Sequence, residues 1–214
     1  NGSGNLTFQA TNAGGGGITQ SGPASTAVGQ AINATADGAV SVNALRGTTV
    51  GLTSNTSSVD STGSAAVQAS AELTVSAATG ITLNTLAASL QITNGGSGNV
   101  SITQLAAPAQ TLTVTGTGVV NNAAGGSITL TNLGSSITVA GGSTVRSSNG
   151  NITLAATDLQ INGTVNSGTA RTTLENSTAG RQIDVGSNTP GTVGLTQAEL
   201  NNVTAGLLQI GSFT

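Results

Sequence analysis

The side chains able to do acid–base chemistry or bind a charged ligand are few. The 214-residue chain carries Asp37, Asp60, Asp158, Asp184, Glu72, Glu175 and Glu199 against Arg46, Arg146, Arg171 and Arg181, a net charge of −3. Paired carboxylates hydrolyse a glycosidic bond only at a defined separation. The candidates are Asp158 and Asp184, 26 residues apart and so about one turn of the repeat described below. No aromatic platform or charge cluster surrounds them in the sequence. Solvated surface acids are therefore the better reading, with Arg146, Arg171 and Arg181 as partners in minor surface ion pairs.

Other chemistries lose their usual residues. His and Cys are absent, which removes the common ligands of zinc and most transition metals. Gly95-Gly96-Ser97-Gly98-Asn99 imitates the glycines of a calcium-binding repeat but lacks its Asp and occurs once. A phosphate-binding loop needs a Lys, and the chain has none. No metal or cofactor is expected. Four Arg without Lys leave no basic footprint for nucleic acid or an anionic membrane. No apolar run approaches the roughly 18 residues of a membrane-spanning helix.

What remains is hydroxyls in a regular setting. Gly contributes 32 residues, Thr 36, Ser 24 and Asn 20, while only 5% of the chain is charged and the only aromatics are Phe8 and Phe213. Mean hydropathy is nevertheless +0.16, and the apolar residues are mostly β-branched or Leu. That combination favours strands over disorder.

The elements that position these side chains show in the period. Apolar-polar-apolar triplets recur, among them Val40-Ser41-Val42, Ile81-Thr82-Leu83, Val100-Ser101-Ile102, Ile128-Thr129-Leu130 and Ile152-Thr153-Leu154. Each is a minimal strand with two residues facing in and one facing out. A second series starts at Val50, Leu73, Leu90, Leu112, Ile137 and Leu159, with a mean spacing near 22 residues. A third, weaker element follows at Val119, Val145 and Val165. Gly-, Asn- and Ser-rich turns separate them, with Gly and Asn supplying positive φ at the corners.

Three short strands per turn of about 22 residues describe a coil of a parallel β-helix, or β-solenoid, stacked at about 4.8 Å. The crossover preference of parallel strands makes it right-handed. Residues 1–38 keep only loose triplets and are expected to form an irregular coil or arm. The solenoid then runs over 39–214, less regularly from about 175. Thr196-Gln197-Ala198-Glu199 matches a capping box and predicts a short helical insertion near 196–203.

Stacking brings the outward residues Ser41, Thr82, Ser101, Thr129 and Thr153 into one hydroxyl ladder. Regular Thr arrays on solenoids can order water, so ice binding is one functional alternative. A single column interrupted by Ser, over coils of uneven length, argues against it. A polysaccharide-cleaving enzyme on the same scaffold is the other alternative.

The segments Gly180-Arg181-Gln182-Ile183-Asp184-Val185-Gly186, Val193-Gly194-Leu195-Thr196-Gln197-Ala198-Glu199-Leu200 and Val203 to Gly211 resemble a recurring segment of large bacterial exoproteins of the filamentous-haemagglutinin-like type. The preceding coils are similar to that family's shaft, and the resemblance covers roughly residues 70–211. It implies an exported, extracellular or cell-surface β-helical fibre acting in adhesion, with no catalytic residues. Expected partners are identical or contiguous coils and surface glycans of a host or neighbouring cell, with no nucleic acid and no membrane insertion. A chain beginning at Asn1 reads as a mature product or a segment of something longer.

Overall fold

The computed structural model describes residues 4–11, 15–20, 26–61 and 67–211; Gly14 and Phe213 lie outside these. The chain is all-β apart from one helical turn, and every strand pairing among the described residues is parallel. A first ladder stacks Ile18, Val40, Val59, Ile81, Val100, Ile128, Ile152, Thr172 and Leu208 as successive Cα partners. From Val40 to Thr172 this gives about seven coils with a mean length of about 22 residues. Burial alternates as the triplets require, with Val40 and Val42 buried around Ser41, and Ile128 and Leu130 around Thr129.

The second face is continuous with the first in the early coils. The strands Ala44–Ser54, Val67–Ala77 and Ile81–Asn94 bend through a corner, and their register slips between Gly47 and Thr49 and between Ala69 and Glu72. Later coils separate the faces. Leu112–Ala124 bulges between Val114 and Val119, after which Ile137–Val139 and Thr144–Ser148 form distinct strands. Gly118 makes that bulge possible. Its φ is 88°, and a Cβ there would lie 1.8 Å from the Thr144 carbonyl oxygen. The weak third element is real, since Val119, Val145 and Val165 are in register.

One detail of the second series is corrected. Leu90 stacks on Val114, two residues beyond the expected Leu112, while Ile92 stacks on Val119. Leu112 begins a column with Ile137 and Leu159. Residues 105–111 and the bulge at 115–118 absorb the surplus of this coil, so equal spacing in sequence is not equal height in the stack.

The described parts of residues 1–38 join the same ladders. Leu6–Ala10 pairs with Ala31–Ala36, Ile18–Thr19 with Val40–Ser41, and Thr26–Val28 with Ala44–Arg46. Beyond Asn176 the chain leaves the first ladder. It forms a small pair, Ile183–Val185 with Val193–Leu195, and then the helix Gln197–Leu200. Val203–Thr204 and Leu207–Ile210 then return to the stack. The capping box is present as expected, with the Thr196 side chain on the Glu199 N–H and the Glu199 carboxylate on the Thr196 N–H.

The core is a set of aliphatic columns, including Ile32, Leu52, Leu73, Leu90, Ile102, Ile128 and Leu154, all essentially inaccessible. Asn does its work through the side chain more than through backbone conformation. Among described non-glycine residues only Asn149 has a positive φ, 59°. Asn94, Asn121 and Asn132 instead point inward at corners and are fully buried. Asn94 Nδ2 donates to Asn121 Oδ1 (2.9 Å) and to the Ser97 carbonyl (2.7 Å). Asn121 Nδ2 reaches the Ser127 carbonyl at 2.9 Å, and Asn132 Nδ2 reaches the Gln110 and Ser136 carbonyls at 2.8 Å each.

Glutamine closes the ladder where the chain departs. Residues 105–111 swing away and leave Ala87 without a next rung. Gln104 fills the place: the Ala87 N–H donates to Gln104 Oε1 (3.0 Å), and Gln104 Nε2 donates to the Ala87 carbonyl (2.9 Å). Gln20 does the same for Ala44, at 3.1 and 2.8 Å. Replacing Gln104 by Leu keeps the volume but orphans two buried backbone groups, at about 1–3 kcal/mol each. Gln104→Leu should therefore lose about 3 kcal/mol in urea unfolding; a loss below about 1 kcal/mol would show that the amide is not what satisfies Ala87.

Candidate functional site

The expected hydroxyl residues fall on one face of the first ladder. Ser41, Asp60, Thr82, Ser101, Thr129 and Thr153 are consecutive Cα partners, so the column is real but contains Asp60 between Ser41 and Thr82. Thr173 extends it and is buried. A second outward column lies two residues further along each strand: Asn84, Thr103, Thr131, Ala155 and Glu175. Sequence reading missed it because the triplet was taken to end at its second apolar residue. The five-residue strands Val100–Gln104 and Ile128–Asn132 show the longer alternation.

The carboxylates serve turns and ladders. The Gly194 N–H donates to Asp158 Oδ1 (3.3 Å), and Gly194 is itself the Cα partner of Asp184. The two acids of the proposed pair thus flank one small sheet, each committed to structure. Asp184 closes a turn, accepting from Ser187 Oγ (2.6 Å), from the Thr189 hydroxyl and from the Thr189 N–H (3.3 Å). Glu72 accepts from Gln91 Nε2 (2.7 Å) and Thr115 Oγ1 (3.4 Å), and Glu199, besides capping the helix, accepts from the Ile161 N–H (3.2 Å). Asp37 accepts from Asn55 Nδ2 at 2.8 Å.

The arginines do not form the expected ion pairs. Arg146 donates to Asn122 Oδ1 (2.8 Å) and Arg181 to the Thr192 carbonyl (3.2 Å). Neutral acceptors sit nearer because the acids are engaged by their own turns. Among the described residues, Arg171 has no carboxylate within ion-pair distance, and no cluster of three acids or other ligating groups is arranged to hold a metal. Gly95 to Asn99 form a corner in which Asn99 Oδ1 accepts from the Ser127 N–H of the next coil (2.9 Å).

Three hollows complete the surface. A groove of about 410 Å3 runs beside Arg46, Gln68, Pro108 and Gln110. An apolar cavity of about 180 Å3 lies between Phe8, Ile18, Ala34, Val42 and Leu45, and an open depression of about 480 Å3 borders Asp184 and Thr192. None brings two uncommitted carboxylates together.

Fold and surface together define a parallel β-solenoid with a hydroxyl-bearing face. No family model, curated protein or solved structure matches the chain. No helix among the described residues is long and apolar enough to cross a membrane.

The bonds from Ser187 and then Thr189 hold the Asp184 carboxyl below the ordinary value of 3.8. A depressed folded-state pKa contributes stability that is present above the unfolded value and is lost as pH falls through the folded one. The 184–189 turn should therefore loosen only in acid, below 3.8. In an NMR titration, Ser187→Ala should move the Asp184 pKa up toward its ordinary value; an unchanged titration would rule out the hydroxyl as the cause.

Proposed function

We propose that the chain is a structural shaft, a stretch of β-solenoid fibre belonging to an extracellular or cell-surface adhesin-like exoprotein of a bacterium. Its action is mechanical. Cooperative stacking and mutually satisfied backbone give reach and resistance to proteolysis, and adhesion to host or neighbouring-cell glycans resides in loops or other domains. The observation that carries this reading is the unbroken parallel stack, whose aliphatic columns repeat coil after coil. The similarity of the 180–211 segment to filamentous-haemagglutinin-like exoproteins supports it further.

The commitment of Asp158 and Asp184 to the small sheet and its turn supports a non-catalytic role. Removing either as a general acid would also sever a structural bond.

End-to-end contact extends the same reading. In the core column Leu208 is 38% exposed whereas Ile152 is 0% exposed, so this rung presents an apolar face and an unpaired strand edge of the kind solenoids cap or continue. Electron microscopy of the native particle should show a fibre far longer than these coils span. The isolated chain should associate with rising concentration in sedimentation, and Leu208→Lys should abolish that association while leaving the circular dichroism unchanged. A compact native particle of this chain's own size, monodisperse at high concentration, would overturn the shaft reading.

A further inference from the structure

The shaft reading gives no role to the face of the first ladder. Over four rungs it presents paired outward side chains: Thr82 with Asn84, Ser101 with Thr103, Thr129 with Thr131, and Thr153 with Ala155. Six of these eight carry hydroxyls, and none of the six hydrogen-bonds within the described protein. Their capacity is directed at solvent.

Two features of the sequence argue against an ordered-water surface: a single column and coils of uneven length. The register removes both. The second column supplies width. The unevenness never reaches this face, because the 28 residues from Val100 to Ile128 place their surplus in 105–111 and 115–118. Register slips occur only in the other ladders, at Gly47/Thr49, Ala69/Glu72, Val114/Val119 and Asn121/Ala124. The pairings Ile81–Val100–Ile128–Ile152 run without a shift.

The backbone therefore fixes a lattice of side chains about 4.8 Å apart between rungs and about 6.7 Å apart along each strand. These are repeats of the size found between oxygen rows in crystalline water. Thr is stiff at χ1, so little rotamer entropy opposes a fixed hydroxyl position, and its methyl group beside the hydroxyl limits competing water geometries. The patch is uncharged, bounded by Asp60 beside Thr82 at one end and Glu175 beside Ala155 at the other. It carries no aromatic ring of the kind that anchors sugar or protein partners.

We propose that this face, Thr82, Ser101, Thr103, Thr129, Thr131 and Thr153, binds ice. Its hydroxyls hold a first layer of water in lattice positions, and that layer joins the crystal. The inference is independent of the shaft reading. A fibre that assembles without touching ice leaves that reading standing and removes this one.

The test is freezing-point hysteresis and inhibition of ice recrystallisation by the full chain. Two variants probe the patch, Thr129→Tyr and Ser101→Lys; Thr53→Tyr on the second face serves as control, and circular dichroism checks each fold. Hysteresis in the unaltered chain and the control, falling to background in both patch variants, is the expected result. If Thr129→Tyr fails to fold, Ser101→Lys decides alone. Absence of hysteresis in the folded chain, or hysteresis that survives in the folded patch variants, overturns the proposal. So does adsorption to crystalline cellulose or chitin without hysteresis.

Discussion

Every backbone N–H and C=O in a coil this narrow points along the stack, toward the coil above or below. Buried away from water, each must be met there or be met by a side chain. The rest of the molecule follows from that requirement. Where the chain keeps to the ladder, the neighbouring strand answers it. Where the chain turns or departs, an amide side chain does, as Gln104 does for Ala87 and Asn132 does for the carbonyls of Gln110 and Ser136. An Asn or Gln side chain carries the same donor and acceptor as a peptide unit, which is why the buried polar residues are chiefly amides and hydroxyls.

The same requirement shapes the composition. Coils a few residues across leave room inside for Val, Ile, Leu and Ala but little for rings, and a satisfied backbone needs few charges. Insertions are tolerated only where they leave the stack altogether. Residues 105–111 and 177–202 do so at corners and on the later faces, while the first ladder continues through Val100, Ile128 and Ile152 undisturbed. One face is thereby kept as a regular lattice while the others vary, and a shaft and a patterned surface can coexist in one short chain.

Much of this was legible beforehand. The triplets around Ser41, Thr82, Ser101, Thr129 and Thr153 marked the first ladder, because alternation of apolar and polar residues has only one outcome in a strand packed on a core. Val119, Val145 and Val165 marked the third face, and Thr196 with Glu199 marked the helix. The slip from Leu112 to Val114 was not legible, since spacing along the chain counts bulged residues that height in the stack does not. Nor were the inward Asn94, Asn121 and Asn132. Asn next to Gly reads as a turn residue whichever way its side chain points.

By itself, then, the sequence determined the class of fold, the repeat length, the outward column of hydroxyls and the exclusion of most metal and phosphate chemistry. These depend on residue type and period, which are local. Only the tertiary structure decided which rung each residue occupies. It drew Asp158 and Asp184 into a small sheet and its turn, gave Arg146 and Arg181 neutral acceptors, and set Thr103 and Thr131 beside Ser101 and Thr129 as a second column. Those are relations between coils some 20 residues apart, fixed by hydrogen bonds across the stack and by where the surplus residues leave it.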